Sequence, residues 1–291
     1  MTIASTSKVS GADASTPTLS LGFSTCPNDT FIFHALVKGL ISTPFRFVER
    51  LEDVETLNRL VLAGSLDLSK VSYHLFGHVR DSYCLLRSGG ALGRGCGPLL
   101  VAAGNMQLSG LRNLPIAVPG EFTTACLLLR LFDAGFSRLK FLPFHEIMPK
   151  VASGEFAAGV IIHESRFTYQ ESGLVKLLDL GEWWEETTGF PIPLGGIVAR
   201  RSLGREVISQ LDSAVAASVT HALANPGVAK EYIRSHAQEM SDEVCAAHIG
   251  VYVNDFSVDI GVDGQRAVEC LMARAEAAGV IPRAGKGIFT D

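Results

Sequence analysis

Strand-like and helix-like segments alternate along this chain, and that alternation constrains the fold more than any single motif. Short β-rich runs at 19–24, 45–49, 66–70, 82–87 and 99–103 are separated by stretches of helical spacing, one of them at 30–38. The clearest helix covers 54–62. Asp53 is placed to cap it, Gly64 lies past its end, and Val54, Leu57, Leu60 and Val61 share one face. The pattern then repeats, with strands at 116–118, 139–142, 158–162, 175–179 and 195–199 and helices at 123–134 and 147–152. Beyond about residue 201 it turns helical, at 204–224, 228–236, 242–251 and 265–278. Such alternation builds α/β folds with mostly parallel sheets. Two α/β stretches and a helical tail fit two lobes joined by two crossings. Residues 19–102 plus 195–291 form the expected large lobe and 103–194 the small one, with a ligand cleft between them. Residues 1–18, rich in Ser, Thr and Ala, read as a disordered tail.

Composition removes several function classes. Of 291 residues, 47% are hydrophobic and 19% charged, which supplies an ample core. A net charge of −5 leaves no basic footprint for nucleic acid. None of the six cysteines forms a C-x-x-C pair, so the pattern is that of a reduced protein rather than a zinc ribbon or a disulfide framework. No apolar run approaches the ~20 residues needed to span a bilayer, and the N-terminus lacks the apolar stretch of a signal peptide. The expected location is the cytoplasm, without membrane insertion. Gly93, Gly95 and Gly97 superficially suggest a nucleotide loop, but Pro98 and an apolar strand follow where a helix is required. A G-x-S-x-G elbow is also absent. His74 and His78 have i,i+4 spacing, yet no third ligand accompanies them and H-E-x-x-H is missing, so no metal site is expected.

Four segments remain as candidates. The turn through Ser24, Cys26 and Asp29 joins a strand to a helix, where free N–H groups and the helix dipole favour an anion; a plain capped turn explains it equally well. Thr123 and Thr124 open a helix after the turn Pro119-Gly120, and one of them has the chemistry of a cap. Lys70, Val71 and Ser72 end a strand, offering a positive charge and a hydroxyl near the cleft; an exposed lysine is the bland alternative. His163 follows the apolar strand at 158–162, where α/β folds place chemistry, and an imidazole with an ordinary pKa of ~6.5 suits a general base. A structural histidine is the competing reading. Glu164 and Arg166 are placed to orient it or to pair with each other.

Longer runs are more specific. LGFSTCPNDTFIFHALVKGLI, LEDVETLNRL, SGGALGRGCGPL, IIHESRFTY, LGEWWEETTGFPIPLGGI and SHAQEMSDEV occur in this order, and the chain from about Leu19 onward resembles the 1,4-dihydroxy-6-naphthoate synthases of the futalosine route to menaquinone. The resemblance implies a two-lobed α/β fold like the type II periplasmic binding proteins, with an interlobe cleft. It implies a lyase that opens cyclic dehypoxanthine futalosine to 1,4-dihydroxy-6-naphthoate, releasing a three-carbon fragment without metal or redox cofactor. It also implies that His163 is the proton acceptor and that Lys70, Val71, Ser72, Thr123 and Thr124 contact a small carboxylate substrate. Thr25 and His34 stand where proline and tyrosine are expected in the family. Two other classes stay open: a solute-binding protein of the same fold, and a sister enzyme acting on chorismate. Oligomeric state is not legible.

Overall fold

The structure, a computed structural model, describes residues 16–163, 165–237 and 241–290. It begins with β1 (Thr18–Phe23), α1 (Pro27–Val37), β2 (Arg46–Leu51), α2 (Val54–Leu62), β3 (Leu68–Ser72), α3 (Tyr73–Val79), β4 (Tyr83–Leu85) and β5 (Ala91–Gly93). The chain then crosses to a second sheet through β6 (Leu99–Ala102), β7 (Ile116–Val118), α4 (Thr124–Phe132), β8 (Leu139–Phe141), α5 (Phe144–Ala152), β9 (Ala158–Ile161), α6 (Ser165–Thr168) and β10 (Val175–Asp179). It returns by α7 (Leu180–Thr188) and β11 (Ile192–Arg200), and ends in α8 (Arg205–Ala224), α9 (Lys230–His236), α10 (Asp242–Tyr252), α11 (Asp255–Val258) and α12 (Gly261–Ala277).

The result is a two-lobed α/β fold. One sheet runs β2-β1-β3-β11-β4 with β5 also on β11, and the other runs β10-β6-β9-β7-β8. Three details depart from the sequence expectation. Thr18, assigned to the tail, pairs with Arg46 as the first residue of β1; residues 1–15 of that tail lie outside the described residues. The strand at 99–102, assigned to the large lobe, pairs with β9 and β10 in the second sheet, and we therefore draw the lobe boundary before Leu99. The sheets are mixed rather than mostly parallel. β1 pairs in parallel with β2 and β3, and β7 with β8 and β9, whereas β11 and β6 run antiparallel to their neighbours. The reason is connectivity. Parallel neighbours need a crossover helix, and β6 and β11 are the strands reached by passing between lobes.

Local chemistry accounts for the element ends. Asp53 caps α2 by accepting from Glu55 and Thr56 N–H groups. α1 begins at Pro27, earlier than expected, because proline has no N–H to lose at the first helical position and its fixed φ suits the helix. α7 was not expected; Asp179 caps it, Gly189 closes it at φ 73°, and the fully buried Trp184 anchors it. The glycine-rich run has a packing explanation. A Cβ on Gly97 would lie 2.3 Å from Gly181 Cα, so the two crossings touch backbone to backbone, and only glycine fits.

Among the described residues the core has three parts. One lies under α1 and α8 in the first lobe, and a small one under α5 in the second. The largest is shared, joining Leu57, Tyr73 and Leu75 of the first lobe to Leu127, Leu128 and Trp184 on the other side of the crossings. The lobes are thus fused by apolar packing along one side and separate along the other, where the cleft lies.

Candidate active site

The cleft holds a cavity with about 740 Å³ of empty space, part of it open to solvent. All six expected residues line it: His163, Lys70, Val71, Ser72, Thr123 and Thr124. Their roles differ from what their types alone suggest.

On the first-lobe wall, β3 and the β1–α1 turn bring Lys70 and Asp29 together. Lys70 Nζ lies 3.2 Å from Asp29 Oδ1, and the side chains are only 7% and 4% exposed. Lys70 also donates to the Gly89 carbonyl at 3.0 Å. Asp29 accepts from Ser24 N–H and Oγ at 3.2 and 2.7 Å and from Asn28 Nδ2 at 2.9 Å. Lys70 is therefore not an exposed lysine, and its charge is already compensated. Ser72 stands at the start of α3 but makes no capping bond. Its Oγ accepts from Asn58 Nδ2 at 3.1 Å, which leaves the hydroxyl proton to donate.

On the opposite wall, both threonine hydroxyls are engaged within the protein. Thr123 Oγ1 donates to Gly120 O and accepts from Cys126 N–H, as the cap of α4. Thr124 Oγ1 donates to Leu194 O at 2.6 Å and accepts from Tyr73 N–H at 2.9 Å, tying the lobes together. The backbone N–H groups of Thr124 and Ala125 have no partner among the described residues, as expected for the opening of a helix. They line the cavity with Ser72. Two amides and one hydroxyl, reinforced by the dipole of α4, make an anion seat. Behind this helix, His74 Nδ1 lies 3.2 Å from Thr123 O, so that nitrogen carries the proton. Burial, then His78 and Arg130, push its pKa down to about 3. The His74–His78 pair supports the turn; among the described residues no group of three or more His, Cys, Asp or Glu could hold a metal.

His163 follows β9 at φ 57°, and it is the only non-glycine residue with positive φ among those described. A bulky residue held there carries strain of about 1–3 kcal/mol, a feature that clusters at functional sites. Its ring lies edge-on to Phe144 at 5.4 Å and stacks at 6.1 Å on His248. Nδ1 sits 3.6 Å from Cys26 Sγ of the first lobe. His163, Ser24 and Val54 also line a second, outer cavity of about 1280 Å³, so the imidazole stands where the two cavities meet. Arg166 does not orient it: the guanidinium binds Asp179 at 3.0 Å and the Gly97 carbonyl, securing the crossings. Glu164 lies outside the described residues.

Sequence reasoning missed Cys26 as a neighbour of His163, and it missed His248 and Tyr252 of α10, which also line the cavity. The single available signal was their i,i+4 spacing on an otherwise ordinary tail helix.

A family model described as menaquinone biosynthesis matches residues 19–277. The 1,4-dihydroxy-6-naphthoate synthase of Thermus thermophilus is 56% identical over 272 residues, covering 93% of this chain and 98% of that protein. The protein of the same name from Streptomyces coelicolor is 47% identical over 276 residues, covering 93% and 97%. Among solved structures, one from Archaeoglobus fulgidus superposes with a TM-score of 0.86 at 33% identity, over 92% of this chain and 100% of that one. A Candida albicans protein with the generic periplasmic binding protein fold matches with a TM-score of 0.65 at 13% identity, over 92% of each chain, which shows the fold alone. Coverage of nearly the whole chain by both sequence and structure leads to one conclusion: this chain belongs to the menaquinone biosynthesis family that includes those two synthases.

Proposed function

We propose that the chain is a 1,4-dihydroxy-6-naphthoate synthase, acting as a carbon–carbon lyase on cyclic dehypoxanthine futalosine with His163 as the base. The names of its relatives support the product. The observation that carries the mechanism is the imidazole of His163, held on a strained backbone where the two cavities meet, in the cavity that also holds the anion seat.

In this reading the substrate carboxylate accepts hydrogen bonds from Thr124 N–H, Ala125 N–H and Ser72 Oγ. Lys70 and Val71 shape the wall, and Lys70 holds Asp29 in place. The anchored ring lies in the inner cavity. His163 takes a proton, the electron pair left behind drives cleavage of the neighbouring carbon–carbon bond, and the proton held by His163 returns to the pair released from that bond. The three-carbon fragment departs towards the outer, solvent-facing cavity, and the remaining ring becomes aromatic. Base catalysis supplies about 10²–10⁴-fold, and fixed orientation in the cleft supplies much of the rest. No cofactor is part of the proposal. A cytoplasmic site of action is; no described helix is long and apolar enough to cross a membrane.

The test is incubation of catalytic amounts of protein with cyclic dehypoxanthine futalosine and, in parallel, with chorismate. Multiple turnovers to 1,4-dihydroxy-6-naphthoate from the first alone are expected. Stoichiometric binding without product would favour a solute-binding protein, and consumption of chorismate would favour the sister enzyme.

A further inference from the structure

His248 is a histidine that the mechanism above does not use. It lies on α10 of the helical tail, is 0% exposed, and faces the inner cavity. Neither ring nitrogen has a hydrogen-bond partner among the described residues. Buried polar atoms left unpaired are costly, and native proteins keep few of them. The ring is also held firmly. It stacks on His163 at 6.1 Å with 19° between planes, and lies tilted against Tyr252 at 4.6 Å. A rigid imidazole with both nitrogens unspent on the wall of a ligand cavity is a recognition element.

We propose that His248 binds substrate and product directly, hydrogen-bonding one of the ring oxygens that become the two hydroxyls of the product. This rests on the proposed function for the identity of the ligand, but not on His163 being the base. The anion seat takes the carboxylate end, so the hydroxyl-bearing ring is the part left to meet the tail helix. Burial, then the neighbouring His163, push the pKa of His248 down to about 3, so its ring is neutral at ordinary pH and offers one donor and one acceptor. A neutral His248 also adds no positive charge against the proton that His163 receives.

The test pairs two ligands with two variants. Calorimetry under anaerobic conditions measures binding of 1,4-dihydroxy-6-naphthoate and of 2-naphthoate, which keeps the carboxylate and rings but lacks both hydroxyls. His248→Phe keeps a stacking ring and removes both nitrogens. It should weaken the dihydroxy ligand about tenfold, leave 2-naphthoate unchanged, and hold or raise the melting temperature. His248→Gln, which restores a donor and an acceptor, should recover part of the loss. In turnover the Phe variant should raise KM more than it lowers kcat. Equal weakening of both ligands, or no weakening of either, would overturn the proposal and leave His248 a packing residue. Because binding is read without turnover, a wrong assignment of the base would not disturb this result. Failure of wild-type protein to bind the dihydroxy ligand would count against the proposed function and this inference together, whereas normal binding with no effect of His248→Phe would sink this inference alone.

Discussion

The two walls of the cleft are built on opposite principles. The first-lobe wall is made of charges that cancel: Lys70 and Asp29 are buried against each other, and every oxygen of Asp29 is hydrogen-bonded. The second-lobe wall carries almost no charge; it presents two helix-opening amides without a partner among the described residues, beside an imidazole held in a strained backbone conformation. A charged residue at a strand end is thus framework here, and in the proposed function ligand anchoring falls to two main-chain amides and the Ser72 hydroxyl. In the proposed function the first lobe mainly fixes the shape of the site, with Ser72 and His248 reaching the ligand from it, and the second lobe supplies the amides and the base.

The largest expected effect breaks the first wall. Lys70→Met leaves Asp29 buried without its counter-ion, which should cost about 3–5 kcal/mol of stability in urea unfolding. Adding Asp29→Asn should recover most of that loss. An unchanged midpoint in the single variant would mean that the ion pair does not hold the wall.

Acid should expose the neutral character of the histidines flanking the site. His74 and His248 stay unprotonated in the folded chain down to about 3, against an ordinary 6.5, chiefly because they are buried. The unfolded chain therefore binds more protons between those values, and stability falls as pH drops through that window. Each histidine contributes up to about 1.4 kcal/mol per pH unit. His248→Phe should remove its share of the slope, as read from unfolding midpoints between pH 6 and pH 4. An unaltered slope would contradict the assigned burial cost.

A smaller effect sharpens the anion seat. Ser72→Ala removes one of three donors and should weaken 1,4-dihydroxy-6-naphthoate binding by about 1 kcal/mol, roughly five- to tenfold. The fold should be unaffected, because Asn58 keeps its bond to the Ser72 backbone N–H. Unchanged affinity would shift the carboxylate elsewhere.

How much of this was legible follows from what is local. Asp53 as a cap, Thr123 at a helix opening and His163 past an apolar strand are near-neighbour patterns, and each stands where the sequence placed it. Non-local pairings were not legible. Lys70 looks like any lysine until Asp29 is brought beside it, and Cys26 meets His163 across a separation of 137 residues. Which sheet β6 joins is likewise invisible in Leu99–Ala102, because an apolar strand reads the same in either lobe. α7 did carry a local signal, Asp179 before it and Gly189 after it, but its polar face and two tryptophans obscured the period.

The most direct test of the central claim uses His163→Gly. Glycine accepts the left-handed backbone that histidine occupies at φ 57°, so the substitution removes the imidazole without adding strain. With cyclic dehypoxanthine futalosine, kcat should fall by about 10²–10⁴-fold, while the melting temperature and affinity for 1,4-dihydroxy-6-naphthoate hold. Turnover close to that of the unaltered protein would show that the proton goes elsewhere.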